Sequence, residues 1–177
     1  MRSVEAMLRL LAWAKSGRHV LNRGDLARIL GEPRTSRKIE STVSRLVRDR
    51  VLVRAARDVY VVSQFANHET LGQIAQVASR GHMACESLET AGAAWGLISQ
   101  CYPAKVTCVT TGRSIRIECE YGVVELIHTE LGTDELIAGS VDMGPARLRM
   151  TDAKLTARLL RRTGRASELV REEASKK

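Results

Sequence analysis

Apolar residues at the start of the chain recur with helical spacing. Val4, Met7, Leu8 and Leu11 stand at i, i+3, i+4 and i+7, one stripe on a helix that Gly17 ends. His19-Val20-Leu21 reads as a short extended piece. A second helix, about Arg23 to Leu30, turns Leu26, Ile29 and Leu30 inward and is stopped by Gly31 and Pro33. A third runs from about Thr35 to Asp49. The period then falls to two in Val51-Leu52-Val53-Arg54 and Val59-Tyr60-Val61-Val62, joined by the hairpin-length link Ala55-Ala56-Arg57-Asp58. Helices followed by a β-hairpin in this order predict a winged helix-turn-helix over 1–62.

The third helix separates its residues cleanly by angle. At about 100° per residue, Val43, Leu46 and Val47 all fall within about 80° of Ile39, on one side of the helix. Arg37, Ser41, Ser44 and Arg48 fall within about 40° of the line opposite Ile39. Arg45 and Lys38 flank them on that far side. The outer face therefore mixes guanidinium groups with small hydroxyls and carries no large apolar residue.

Residues 63–177 predict a mixed α/β domain, and the whole chain reads as α+β. Gln64 to Asn67 is a connector, and Asn67 is the expected cap of a helix from Glu69 to Ser79 with Leu71, Ile74, Ala75 and Ala78 on one face. Arg80-Gly81-His82 breaks it. Ser87 to Trp95 reads as a further helix, ended by Gly96, in which Gly92, Ala93 and Ala94 permit close packing. Strands follow at Lys105–Thr110, Ser114–Glu120 and Val123–His128, separated by Thr111-Gly112 and Tyr121-Gly122 turns. A last helix starts near Thr151 as N-cap and turns Leu155, Leu159 and Leu160 inward. A frayed helix is expected from Ser167 onward.

Composition adds charge to this pattern. The chain has 177 residues, 44% hydrophobic and 27% charged, an ordinary globular balance. Aromatic residues make up 3%, too few for the base-stacking platforms of single-strand binders. The formal charge is +8, and it is segregated. Residues 1–62 hold 14 Lys/Arg against 6 Asp/Glu, residues 63–146 hold 4 against 10, and residues 147–177 hold 10 against 4. A basic first third points to an anionic polymer. No apolar run has membrane-span length, and the start of the chain lacks an apolar signal core, so the expectation is a cytoplasmic protein without membrane contact.

On this pattern the third helix suits a major groove. Arginines such as Arg37 and Arg48 can fork onto guanine, Ser41 and Ser44 can contact base edges or phosphate without steric conflict, and Arg45 and Lys38 flank them. Arg34 stands at the helix N-terminus, where backbone N–H groups also favour phosphate. Arg54 and Arg57 decorate the hairpin and reach the neighbouring backbone or minor groove. The bland readings are a solvated basic face and a protein-binding use of the same fold.

Other candidate chemistry is sparse. Cys85, Cys101, Cys108 and Cys119 show no two-residue gap, and the simplest reading is reduced, half-buried small residues; a zinc site built from His82, Cys85 and two further ligands is the alternative. Lys154, Arg158, Arg161 and Arg165 share a helix face with Arg162 beside them. That stripe reads as a solvated face, as a face packed on the acidic middle segment or a second subunit, or as a contact to DNA phosphate or an acidic partner. Gly139-Ser140 followed at once by Asp142 has the wrong spacing for a nucleotidyltransferase. Asp152-x-Lys154 matches the end of a nuclease-type metal site, the basis of a metal-dependent nuclease reading. His128, near Glu125 on a strand, reads as a partly buried structural residue. The pattern thus favours a binding protein over an enzyme, with no cofactor and no resident metal.

One stretch carries a specific resemblance. The string from Cys85-Glu86-Ser87-Leu88-Glu89-Thr90-Ala91 to Gly96-Leu97-Ile98-Ser99 resembles the S-x-E-S-A-L-x-x-x-G-L-I helix of AbiEi-type antitoxins. Pro103 and the strand Val106-Thr107-Cys108-Val109-Thr110-Thr111-Gly112-Arg113 follow as in that family, and Val59-Tyr60-Val61 is similar to its wing strand. Arg149 to Leu155 resembles its closing helix start loosely, with Arg158 or its neighbours where an acidic residue is usual. The resemblance spans about residues 5–162. It implies an antitoxin of a type IV, bicistronic abortive-infection system. The winged helix of that family binds inverted repeats in its own promoter and represses it, bound either as a pair or as two monomers. Its C-terminal domain is needed to neutralise an AbiEii-type nucleotidyltransferase toxin, and a stable complex is not the rule. By position the resemblance carries Arg34, Arg37, Lys38, Ser41, Ser44, Arg45 and Arg48 to the recognition helix and Arg54 and Arg57 to the wing. It assigns no residue to neutralisation. A winged-helix regulator without a toxin partner is the rival reading.

Overall fold

A computed structural model describes residues 3–99 and 103–165, which form seven α-helices and two sheets in an α+β arrangement. The first helix, α1 (Ser3–Ala14), does not bury the expected stripe. Ala6, Leu10 and Ala14 are buried, whereas Val4 and Leu8 are 62% and 58% exposed. The reason lies in size: the face that packs uses small Ala6 and Ala14, which allow a close approach to the neighbouring helices, and a search for bulky side chains passes over them.

Strand β1 (Val20–Asn22) leads directly into α2 (Arg23–Leu30). Asn22 and Asp25 form a reciprocal capping box, Asn22 Oδ1 accepting from Asp25 N at 3.0 Å and Asp25 Oδ2 from Asn22 N at 3.1 Å. Gly31, left-handed at φ 67°, closes α2. Helix α3 spans Arg37–Arg48, and strands β2 (Leu52–Ala56) and β3 (Val59–Val62) form the hairpin. Its turn is shorter than the expected link: Ala55 and Ala56 belong to β2, which is irregular between Arg54 and Ala56, and Arg57-Asp58 makes the tip with Asp58 at φ 62°. The three strands pair antiparallel in the order β1-β3-β2.

After a 3₁₀ turn at Ser63–Phe65, helix α4 spans Thr70–Ala78. Asn67 is not its N-cap; its side chain accepts from Glu69 N at 2.8 Å, before the helix begins. There follow β4 (Ala84–Glu86), α5 (Leu88–Ala94), β5 (Lys105–Thr110), β6 (Ile115–Cys119), β7 (Gly122–His128), α6 (Thr133–Ala138), β8 (Ser140–Val141), β9 (Arg149–Thr151) and α7 (Ala153–Arg162). The second sheet has the order β6-β7-β5-β4-β9-β8 and mixes parallel and antiparallel pairs. Elements β4, α6, β8 and β9 are absent from the sequence reading, being too short to show a period. Thr151 lies buried in β9 rather than capping α7; Asp152 caps it, Oδ1 accepting from Leu155 N at 2.7 Å. The expected tail helix from Ser167 lies outside the described residues.

Strand period two divides the second core. Ala84, Cys108, Val124 and Leu126 face α4, while Cys85, Val109 and Ile127 face α5 and α7. Gly92 lets α5 meet α7: a Cβ there would stand 3.4 Å from Ile98 Cγ1 and 3.5 Å from Leu160 Cδ1. No helix among the described residues is long and apolar enough to cross a membrane.

The two parts of the chain share a core. Val20, Val53, Val59 and Val61 of the first sheet belong to one apolar cluster with Leu71, Ile74, Ala75 and Ala78 of α4. Buried Gln73 seals this junction. Its Oε1 accepts from His19 N at 3.0 Å and Val20 N at 3.2 Å, and its Nε2 donates to Gly17 O at 2.7 Å. The His19 ring, 1% exposed, bonds Thr70 Oγ1 through Nε2 at 2.8 Å. Gln73→Leu leaves two donors and an acceptor unpaired and is expected to cost about 3 kcal/mol, read as a lower urea midpoint at unchanged slope.

Burial holds the His19 imidazole below its ordinary 6.5, against opposing contributions from Glu69 and the Gly17 backbone. The unfolded chain therefore binds the proton more readily. The stability carried by His19 is complete above about pH 6.5 and is lost as the pH falls through the lower folded value. Urea unfolding of wild type is expected to weaken more than that of His19→Gln between pH 7.5 and 5.5; equal losses would remove this role.

Candidate nucleic-acid interface

Helix α3 is amphipathic in the sense its angles require. Ile39, Val43 and Leu46 are buried against α1 and α2, with Val47 partly covered. Arg37, Lys38, Ser41, Ser44 and Arg48 are exposed and Arg45 is half-buried, so the outer face is open to solvent. Ser36 caps the helix, Oγ accepting from Lys38 N at 3.1 Å. Arg34, two residues earlier, is exposed beside this N-terminus. On the hairpin, Arg54 and Arg57 are both exposed.

These cations are weakly neutralised. Arg34, Arg37, Arg45 and Arg57 form no ion pair with any described residue. Lys38 Nζ stands 4.0 Å from Glu32 and Arg48 Nε 3.3 Å from Asp49, with the Lys38 and Arg48 side chains 79% and 75% exposed. Contacts of that kind contribute little in water. Ser41 Oγ donates to Lys38 O at 3.0 Å, and Arg54 Nε to Ala56 O at 3.4 Å. The one carboxylate on α3, Glu40, is held off the face by Arg23, whose Nη2 lies 2.7 Å from Oε1. Arg23 Nε also donates to Arg34 O at 3.2 Å, tying the start of α2 to the turn before α3. Arg23 thus fixes the turn beside the outer face of α3, and no periodicity marks it because its contacts are set by the turn between helices.

The second basic stripe meets the acidic middle segment. Arg158 Nη2 lies 4.0 Å from Glu135, Arg162 pairs with Glu130, and Arg165 pairs with Glu89 and, at 3.5 Å, with Glu125. Lys154 and Arg161 are exposed and form no ion pair with a described residue. Glu125 is also met by Lys105 at 3.1 Å and by Arg116. Burial pushes its carboxyl up, yet Lys105, Arg165 and Arg116 together hold it below the usual range.

The remaining candidates are dispersed. Cys85 and Cys108 are fully buried rather than half-buried, and Cys85 faces the α5 and α7 core while His82 is exposed. Burial pushes both thiols up. Cys101 lies outside the described residues. Among the described residues no group of His, Cys, Asp and Glu could hold a metal ion. His128 is exposed, not partly buried, with Nδ1 2.8 Å from Gly112 O; it stands three residues from Glu125 on β7, so the two point to opposite faces. The Asp152 carboxylate is engaged in capping α7, while Asp142 lies 3.7 Å from Arg149, whose Nε donates to Ser140 Oγ.

Ser36→Ala removes the cap of α3 without touching its outer face. Stability is expected to fall by about 1 kcal/mol, read by calorimetry as a Tm lower by roughly 2–4 °C. No protein-family model and no curated protein matches the chain.

Proposed function

We propose that residues 1–62 act as a winged helix-turn-helix that binds double-stranded DNA, and that the protein is an antitoxin and autorepressor of the type IV kind. The observation that carries the DNA reading is the solvent-open outer face of α3, where Arg37 and Arg48 flank Ser41 and Ser44 with no bulky apolar side chain among them. In a major groove, Arg37 and Arg48 fork onto guanine O6 and N7, and the serines contact base edges. Lys38, Arg45 and Arg34 neutralise phosphate, and Arg54 and Arg57 on the hairpin hold the neighbouring backbone. Binding to inverted repeats in its own promoter follows from the antitoxin resemblance, as does neutralisation of a nucleotidyltransferase toxin by residues 63–177. Of the second basic stripe, Lys154 and Arg161 are the cations with no intramolecular ion pair to a described residue, and they suit a phosphate or an acidic partner.

The test is a gel shift on duplex DNA from the region upstream of the protein's own gene. Arg37→Ala and Arg48→Ala are each expected to weaken binding at least about tenfold, with circular dichroism unchanged. Wild-type affinity is expected to fall steeply with salt, as phosphate contacts release counterions. Undiminished affinity in both variants, or a flat salt response, would overturn the assignment of α3. The antitoxin part is tested at the gene locus, where the expected outcome is a neighbouring nucleotidyltransferase gene whose product arrests growth and whose arrest is relieved by co-expression of this protein.

A further inference from the structure

The junction between the two parts holds a cleft of about 720 Å³ that the DNA reading does not use. It is within the size range of small-molecule sites, and it lies between two packed units, where such sites concentrate. Five guanidiniums line it; Arg116 on β6 is paired with Glu118 and Glu125, and the other four come from separate segments: Arg18 before β1, Arg34 before α3, Arg57 at the hairpin tip and Arg80 after α4. None of the four forms an ion pair with a described residue. Two carboxylates also line the cleft. Asp25 is committed to the capping box and stands 3.9 Å from Arg28, which leaves Asp58 to oppose four cations. Arg80 and Asp58 both sit at positive φ, 54° and 62°, in turns that set where the two walls meet. Trp13 is a further wall, and its buried indole N–H finds no acceptor among the described residues.

We propose that this cleft binds a small phosphorylated ligand. Unpaired guanidiniums converging on a recess repel one another, and a phosphate bridging two of them relieves that repulsion through charge-assisted hydrogen bonds. A duplex, convex and wide, does not enter a recess of this volume, so the occupant is a small molecule carrying one or more phosphates. Gln76 and the Trp13 ring supply the polar and apolar contacts that orient the rest of it. The site also bears on regulation. Arg34 and Arg57 belong both to the cleft and to the proposed DNA face, so a phosphate bound between the units draws on the same cations and weakens duplex binding. This coupling rests on the DNA reading; occupancy of the cleft does not.

Inorganic pyrophosphate is the probe, titrated calorimetrically into the full chain with chloride matching the ionic strength. One saturable site is expected, with a rise in Tm of roughly 5 °C at a hundredfold excess over Kd. Arg18→Gln and Arg80→Gln, both outside the DNA face, are expected to weaken binding at least tenfold each. Arg113→Gln, an exposed arginine outside the cleft, is expected to leave it unchanged. Absence of a saturable site, or equal weakening by all three variants, would overturn the proposal. A gel shift with and without saturating pyrophosphate then reads the coupling, with at least a threefold loss of duplex affinity expected. An unchanged gel shift would sink the coupling alone, and a protein that never binds duplex would sink the DNA reading while the calorimetry still decides the cleft.

Discussion

The architecture turns on one buried amide. Gln73 reaches from α4 into the backbone of the Gly17–Val20 turn and uses both its ends there, accepting from two N–H groups and donating to a carbonyl. Backbone polar groups cannot be buried unpaired without a large cost, so a turn pressed against α4 needs such a partner. The His19–Thr70 bond beside it, and the valines that continue the first sheet into the α4 cluster, make the junction specific as well as apolar. The consequence is orientation. The contacts of α4 with β1 set the first sheet against α4, and the cleft lies along that junction.

Charge is distributed to match. The acidic middle of the chain could have covered the basic first third, which would have closed the face of α3. Four of its carboxylates are instead taken up within the second part, Glu89, Glu125, Glu130 and Glu135 meeting arginines of α7 and its end and Glu125 also Lys105 and Arg116, while Glu120 crosses to Arg50 just past α3. Glu40, which would otherwise sit among the α3 cations, is drawn away by Arg23. Each exposed pair contributes little energy by itself. Together they decide which cations are left over, and Arg34, Arg37, Arg45 and Arg57 are among those without an ion pair to a described residue.

The sequence is legible where a period is sustained. The α3 angles assign Ile39, Val43 and Leu46 to the core and Arg37, Ser41 and Arg48 to solvent because twelve residues sample every side of the helix. Strands β5, β6 and β7 are legible because glycine turns punctuate them. The reading fails where a face is defined by small residues, as with Ala6 and Ala14 in α1, or where an element is two or three residues long, as with β4, β8 and β9. The cleft is invisible for another reason: Arg18, Arg34, Arg57 and Arg80 are far apart in sequence and converge only when two units dock.

The stretch that resembles the antitoxins has a structural explanation. From Glu86 to Ile98 it forms the passage from β4 into α5, and its side chains are largely enclosed. Leu88 holds φ 53° at the start of α5, a strained setting for a bulky residue that costs on the order of 1–3 kcal/mol. Buried hydroxyls over-determine it: Thr107 Oγ1 donates to Ser87 O at 2.8 Å, and Thr151 Oγ1 bonds Ser87 Oγ at 2.9 Å and Thr156 Oγ1 at 2.7 Å. Most of the stretch thus builds the interior of the second domain, and Ala94, Trp95 and Gly96 at the end of α5 are its exposed part. Trp95 at 39%, Ile137 at 46% and Val141 at 43% exposure are large apolar side chains that the described part of this domain leaves at the surface. The resemblance therefore speaks to how the domain is built.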